Sequence, residues 1–389
     1  MRRAPIYLFA GLALGAAADR PSWTVDLRAL DGREFRGQRS VGFQFTSSGE
    51  IMLSFLSGGA AYDTHGNALA GTPGSYVVML IDRADGHLVR KAEWPSGTRR
   101  NVRELLDHGP RIQPLPDGGY VCLIDGQLLA LDASLKVVNE RCVVCQDEGT
   151  DRYYELIPAR SGPLFLLDYS KFLDNSNHYH AEVIDSRSLA TLETWDFTGT
   201  HLEDLWGQRV LAVRLATRPR TPFPVALPVP DPPDDIIERQ IGGPWRDLGL
   251  KLASGRKPRF TADGSIVGDG RREGVGACWA IMAGPKGDRA PVCYSPEQAI
   301  VSITPARRAP VIAVLLARQS AIRSFLDLTR DSWNWVVVHE SDTGRKLVTT
   351  PKRFDLEAYA LSSDGQTLAV LTEKKLEAYA VRTSNDVRK

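Results

Sequence analysis

One grammar recurs along this chain: a short strand, a tight polar turn, then a strongly apolar strand. The copies are Phe43-Gln-Phe-Thr-Ser-Ser-Gly49-Glu-Ile-Met-Leu53, Ile112-Gln-Pro-Leu-Pro-Asp-Gly118-Gly-Tyr-Val-Cys122 and Tyr154-Glu-Leu-Ile-Pro-Ala-Arg-Ser-Gly162-Pro-Leu-Phe165. Then come Pro258-Arg-Phe-Thr-Ala-Asp-Gly264-Ser-Ile-Val267, Ile303-Thr-Pro-Ala-Arg-Arg-Ala309-Pro-Val-Ile-Ala-Val314 and Tyr359-Ala-Leu-Ser-Ser-Asp-Gly365-Gln-Thr-Leu-Ala369. A weaker seventh is Leu202-Glu-Asp-Leu-Trp-Gly207-Gln-Arg-Val-Leu-Ala212. The turn positions 49, 118, 162, 207, 264, 309 and 365 are separated by 69, 44, 45, 57, 45 and 56 residues. Spacing near 45 with longer outliers fits four-stranded propeller blades that carry loop insertions.

Asp-Gly and Ser-Gly turns accept positive backbone angles, which lets the chain reverse in a few residues. The apolar strand that follows suits one covered on both faces by neighbouring sheets. A second hairpin often comes next: Tyr76 to Asp82 and His87 to Arg90, Tyr179 to Ile184 and Leu189 to Trp195, Trp335 to His339 and Lys346 to Thr349. These read as third and fourth strands. The last copy has a third strand, Leu376 to Val381, but little chain for a fourth, whereas Trp23 to Ala29 is a spare strand near the N terminus. Their pairing would close the ring and remove its open edges. The expectation is therefore an all-β chain: a single β-propeller of seven four-stranded blades over residues 19–389. Helical pattern is scarce, with Arg100 to Asp107 and Asp234 to Gln240 the best short candidates.

Ser362-Ser-Asp-Gly365-Gln-Thr-Leu-Ala-Val370 resembles the Ser-x-Asp-Gly turn of the YVTN/WD40-like repeats of exported bacterial β-propellers. The chain departs from true WD40 repeats, since Trp195-Asp196 ends an outer strand with no matching Gly-His before it. The resemblance implies a propeller outside the cytoplasm. It carries no catalytic residues, because propellers host many unrelated functions.

Residues 1–18 read as a signal peptide: Arg2 and Arg3, an apolar stretch from Ile6 to Leu14, and Ala16-Ala17-Ala18 as a small-residue cleavage site. The apolar stretch is short for a membrane span, and an N-terminal anchor or a first strand is the alternative. No transmembrane span is expected after cleavage, and the location is periplasmic or secreted. In that oxidising setting Cys278 and Cys293 lie symmetrically about Gly284-Pro285-Lys286-Gly287, so a hairpin there puts them opposite each other within disulfide reach. Cys142-Val-Val-Cys145 is a redox pair, a local disulfide or half a metal site, and Cys122 reads as a buried strand residue.

The 48 basic residues are balanced by 47 acidic ones, a net charge of +1, which argues against nucleic acid as a partner. Chemistry-bearing candidates are few. His178 and His180 alternate along a strand and could share a metal with nearby Asp174, although each also reads as a surface group. The segment Gly268 to Gly276, with Arg271 and Arg272, could seat an anion but lacks the helix of a nucleotide fingerprint, and a hairpin loop accounts for it. Arg218 to Asp235 holds seven prolines and reads as an extended excursion from the fourth blade, flanked by Trp206 and Trp245, which could line a ligand surface. No nucleophile elbow, P-loop, zinc-protease helix or calcium loop is present in the sequence, and no cofactor is expected.

The expected role is a binding or scaffold module, monomeric, that recognises a protein or another extracellular ligand through loops at one ring face, namely 57–74, 171–180 and 218–245. The alternative is a propeller enzyme, either a hydrolase or lyase or a subunit of a quinone-dependent dehydrogenase. Polar side chains from several blades converging on the central channel would favour chemistry there; an apolar or blocked channel would count against it.

Overall fold

Each apolar repeat strand is buried on both sides, and this shapes the whole molecule. Ile51, Met52 and Leu53 are all 0% exposed, so successive residues that point in opposite directions both meet protein. The computed structural model describes residues 19–31, 42–57, 75–95, 111–124, 127–143, 152–173, 176–197, 199–216, 232–253, 256–272, 276–285, 287, 289–318 and 333–383.

The chain enters through β1 (Trp23–Asp26) and a five-residue helix α1 (Leu27–Asp31). Blade 1 is β2 (Gly42–Phe45), β3 (Ile51–Ser57), β4 (Ser75–Ile81) and β5 (Leu88–Pro95). Blade 2 is β6 (Arg111–Pro114), β7 (Tyr120–Ile124), β8 (Gln127–Leu131) and β9 (Val137–Cys142). Blade 3 is β10 (Arg152–Pro158), β11 (Leu164–Leu173), β12 (Ser176–Asp185) and β13 (Thr191–Phe197). Blade 4 is β14 (Thr200–Trp206), β15 (Arg209–Arg214), β16 (Asp234–Gln240) and β17 (Trp245–Leu252). Blade 5 is β18 (Arg259–Phe260), β19 (Ile266–Arg272), β20 (Gly276–Ala283) and β21 (Val292–Cys293). Blade 6 is β22 (Gln298–Pro305), β23 (Val311–Arg318), β24 (Asn334–Glu340) and β25 (Lys346–Thr349). Blade 7 is β26 (Leu356–Leu361), β27 (Thr367–Thr372) and β28 (Lys375–Ala380), completed by β1.

This is a seven-bladed β-propeller of antiparallel four-stranded sheets. Every repeat turn read from the sequence joins the first and second strands of a blade. In the last copy the reason is visible: Ser362 Oγ donates to Asp364 Oδ1 (2.6 Å), and the same carboxylate oxygen accepts the Gln366 amide (3.1 Å). Thr261 and Asp263 repeat the arrangement at 2.7 Å. The Ser/Thr-x-Asp-Gly pattern is thus a turn that satisfies its own backbone, with Gly365 at φ +69° taking the left-handed position.

The expected closure is present. β1 pairs antiparallel with β28, Trp23 opposite Ala378 and Asp26 opposite Lys375. Each of seven core clusters fills the space between two neighbouring blades, including a blade 7–blade 1 cluster in which Leu27, Phe45 and Leu376 are buried. The blade 4–blade 5 cluster has the fewest buried residues: Leu211, Ile236, Leu252, Phe260 and Ile266. Arg209 supplements that seam, with its guanidinium carbon 4.9 Å from the Phe260 ring and 5.3 Å from Trp206.

Cys278 and Cys293 stand opposite each other on β20 and β21 and form a disulfide, with Cα atoms 4.0 Å apart. Cys142 is also disulfide-bonded, while Cys145 lies outside the described residues. Cys122 is free and buried.

Several expectations need correcting. Asp234 to Gln240 is strand β16, because Ile236 and Ile237 are buried on opposite faces between blades, and tertiary pairing overrides a helical reading. The Trp23 to Ala29 strand stops at Asp26, where Leu27 turns inward to fill the blade 7–blade 1 core. Gly268 and Gly270 lie inside β19 and not in a loop; a Cβ on Gly268 would sit 2.5 Å from the Met282 sulfur and 3.0 Å from Leu252 Cδ1, so those side chains would have to shift to admit one. Residues 171–173 and 176–180 extend β11 and β12, and 234–245 is sheet and turn, so only parts of those two segments can act as loops. Arg100 to Asp107 and residues 1–18 lie outside the described residues.

Candidate functional site

The seven first strands surround the axis, and a cavity of about 390 Å³ occupies the channel between them. Every blade contributes to its wall: Gln44 and Thr46, Gln113, Glu155 and Arg160, Asp204, Arg259, Ser302 with Thr304, Arg307 and Arg308, and Tyr359. Ser47, Pro116, Arg160, Arg307, Arg308 and Ser363 stand in the turns that follow the first strands, so one mouth opens at the face carrying those tight turns. The strand ends joined by residues 58–74, 96–110, 217–231 and 319–332 lie at the opposite face.

Asp204 organises one side of the channel. A bulge in β14 between Leu202 and Asp204 leaves Glu203 as the extra residue. The Asp204 carboxylate then accepts the Phe260 amide (2.8 Å), the Leu205 amide (3.0 Å) and Arg160 Nε (2.7 Å). Arg160 and Asp204 side chains are 11% and 6% exposed, a shielded pair joining blades 3 and 4. Arg160 also reaches across the ring to blade 6, donating from Nη1 to the Pro305 carbonyl at 3.2 Å.

Arg307 and Arg308 follow that carbonyl on blade 6. Among the described residues the Arg307 guanidinium has no hydrogen bond or ion pair. Burial within the ring pushes its pKa down to about 10; repulsion from Arg160 and Arg308 adds to this and Asp204 opposes it. On blade 7, the Tyr359 hydroxyl accepts from Thr304 Oγ1 (2.9 Å) and lies 2.9 Å from Ser302 Oγ. Burial raises its pKa while those two hydroxyls oppose the rise, so Tyr359 is a neutral polar group in the wall.

A second cluster adjoins the wall between blades 3 and 4. Glu155 and Asp168 are directly opposed on β10 and β11, and Glu203 faces the same region from β14. Burial, reinforced by Glu155 and Glu203, pushes Asp168 up to about 7, against the pull of Lys257. Burial likewise pushes Glu203 up to about 7, and its Oε2, with no hydrogen bond, has Lys257 Nζ 3.8 Å away. Nearby His201 is held below its ordinary value by burial and by Lys257.

The residues singled out from sequence fall elsewhere. Trp206 closes β14 and packs on Phe260, with centroids 6.4 Å apart; Trp245 opens β17 and meets Trp195 edge-on at 5.9 Å. Trp245 packs against the blade 3–blade 4 core cluster and Trp206 against the blade 4–blade 5 cluster. His180 on β12 holds Asp196 through Nδ1 at 2.6 Å. His178 lies opposite Lys171 on the same hairpin, and Asp174 lies outside the described residues. Arg271 and Arg272 end β19, opposite Ala277 and Gly276. Among the described residues one other trio has metal-ligating atoms close together, Asp82, Asp85 and His87, but these atoms brace the exposed β4–β5 turn. Asp85 Oδ1 accepts both the His87 amide (3.1 Å) and its Nδ1 (2.6 Å).

The channel residues went unrecognised in the sequence although most stand inside the repeat copies. Ser47, Pro116, Arg160, Arg307 and Ser363 each sit two residues before the turn position of its copy, so stacking the copies would have gathered them.

No family model and no curated protein sequence matches the chain. Solved structures do. A chain of the mitotic checkpoint complex superposes with a TM-score of 0.51 at 10% identity, covering 98% of this chain and 100% of that one. The β-propeller domain of the Trilobed protease from Pyrococcus furiosus, described as having an open velcro topology, gives 0.51 at 10% identity over 89% and 99%. An acylaminoacyl peptidase from Pyrococcus horikoshii gives 0.53 at 12% identity, covering 90% of this chain and 53% of that one, so this chain spans about half its length. At such identities the likeness establishes the propeller fold and carries no activity with it.

Proposed function

We propose that this protein is an exported propeller, of the YVTN/WD40-like kind its repeat turns resemble, that acts as a binding module with its ligand held in the central channel. The observation that carries this reading is convergence: polar side chains on the first strands or adjoining turns of all seven blades meet around one cavity. Chemistry in the channel would share that pattern, but within the wall Asp204 is committed to Arg160 and Tyr359 is held neutral, so these groups serve recognition. A ring closed by β1 and packed at every blade seam is a rigid frame for such a site, which spares the ligand the cost of ordering it. Export is supported by the disulfide at Cys278–Cys293 and by the residue pattern of 1–18. Among the described residues no helix is long and apolar enough to cross a membrane. The opposite face, with its long connections, offers a second surface for a protein partner.

A photo-crosslinking residue placed at Ser363, at the channel mouth, and at Leu192, 57% exposed on the outer strand of blade 3, tests the reading in cells that make the protein. Adducts from position 363 and none from 192 are expected. Adducts from 192 alone would transfer recognition to the rim of the ring. N-terminal sequencing of the mature protein should begin at Asp19, and retention of residues 1–18 on a cytoplasmic protein would remove the export reading.

The carboxyls of Asp168 and Glu203, near pH 7 and beside the channel wall, favour one second reading, a hydrolase or lyase using them as acid and base. It requires turnover that Asp168→Asn and Glu203→Gln each abolish.

A further inference from the structure

The channel wall carries four arginines, Arg160, Arg259, Arg307 and Arg308, against two carboxylates, Glu155 and Asp204. Asp204 is already committed to Arg160, and Arg259 donates to the Glu203 carbonyl. That leaves Arg307 and Arg308 as surplus positive charge at the tight-turn mouth, with no carboxylate partner among the described residues. Arg307 is half-buried with no opposite charge among the described residues to meet it, and Arg308 stands exposed beside it at the mouth, where a ligand arriving from solvent can reach both. The placement is specific as well. Arg160 arrives from blade 3 and anchors on the Pro305 carbonyl of blade 6, two residues before Arg307, so cations from well-separated blades of the ring are drawn to the same part of the axis. Ser363 lies on the same rim, and its carbonyl fixes the turn by accepting the Arg308 amide at 2.8 Å.

We infer that the tight-turn end of the channel is an oxyanion site, in which Arg307 and Arg308, with Arg160 behind them, take a phosphate or carboxylate group of the ligand. Guanidinium forks suit planar carboxylate or phosphate oxygens through paired, charge-assisted hydrogen bonds. Arg160 helps to position the group, because its own Nε is held by Asp204. The inference rests on the reading of the channel as the binding site and adds the chemical class of what binds. It also assigns the site to the face opposite the long connections.

Isothermal titration of the purified full-length protein with inorganic phosphate and, separately, with citrate tests it. One saturable site per chain is expected for at least one probe, weakened at least tenfold by Arg307→Met and by Arg308→Met and weakened less by Arg307→Lys. The two probes tell a phosphoryl from a carboxylate preference. In anion-free buffer Arg307→Met should melt no lower than the parent chain, since it removes repulsion and breaks no ion pair; a lower melting point would make Arg307 a structural residue and overturn the inference. Absence of binding by both probes, or equal binding by the Arg307→Met protein, would also overturn it. If crosslinks from position 363 persist in that case, the channel binds a ligand without an anionic group. If they vanish too, the channel reading falls with it.

Discussion

Asp168→Asn isolates the electrostatic load beside the channel. The side chain is 6% exposed, and its neighbours include Glu155 and Glu203. Its carboxyl titrates near 7 in the folded protein against 3.8 as the ordinary value. Below pH 3.8 the group is protonated whether the chain is folded or not, and it costs nothing. As pH rises from there, the unfolded chain releases the proton first, so folded stability falls and levels off only above about 7. A gap of about three pH units at about 1.4 kcal/mol each gives about 4 kcal/mol, present as stability in acid and lost by pH 8. Asparagine has nearly the same shape and does not ionise. The variant should therefore gain on the parent chain by up to about 4 kcal/mol between pH 4 and pH 8, almost all of it between pH 4 and 7. Guanidinium unfolding midpoints for both proteins at pH 4.5, 6, 7 and 8 measure this. Glu155→Gln, which removes one repelling carboxylate but leaves Asp168 buried, should recover a smaller part. A stability difference that stays constant with pH would refute the reasoning, and so would a variant that loses ground in alkali.

Three further predictions concern the ring. Deleting residues 19–26 removes β1 and bares the edge of β28, so melting should fall and size-exclusion chromatography should show association through the open edge. Gly86→Ala should cost about 2–4 kcal/mol, because φ is +80° and the new Cβ would meet Val25 Cγ2 at 2.5 Å and Trp23 Cζ3 at 2.8 Å; Gly162→Ala, at φ +85° with nothing within 4 Å, should cost only about 1–2 kcal/mol in denaturant titration. Replacing Cys278 and Cys293 by serine together should cost about 3 kcal/mol for a 15-residue loop, and a reductant should then lower the melting point by less than it lowers that of the parent chain.

What was readable in the sequence follows from how far each feature reaches along the chain. A turn such as Ser362-Ser-Asp-Gly365 completes its hydrogen bonds within five residues, and the strand after it records burial on both faces as an unbroken apolar run. Blade number, the closing pair of termini and the Cys278–Cys293 register all descend from such local signals. Asp234 to Gln240 misled because Ile236 and Ile237 are adjacent, and only the packing of neighbouring sheets decides between strand and helix there.

The channel is the opposite case, since each blade gives it only a few residues and no local pattern marks them. Arg160 and the Pro305 carbonyl are 145 residues apart in sequence yet bonded across the ring. Individually, Arg160, Arg307 and Arg308 pass for solvated turn residues, the ordinary fate of arginine between strands. The shared offset of Arg160 and Arg307, two residues before the turn of each copy, becomes meaningful only once the copies are known to circle one axis, because rotation about that axis brings equal offsets to the same level of the ring. A propeller's scaffold is thus written along the chain, while its site is written across the copies. Charge that looks balanced overall, 48 basic residues against 47 acidic, can still collect as a local surplus at one mouth of the ring.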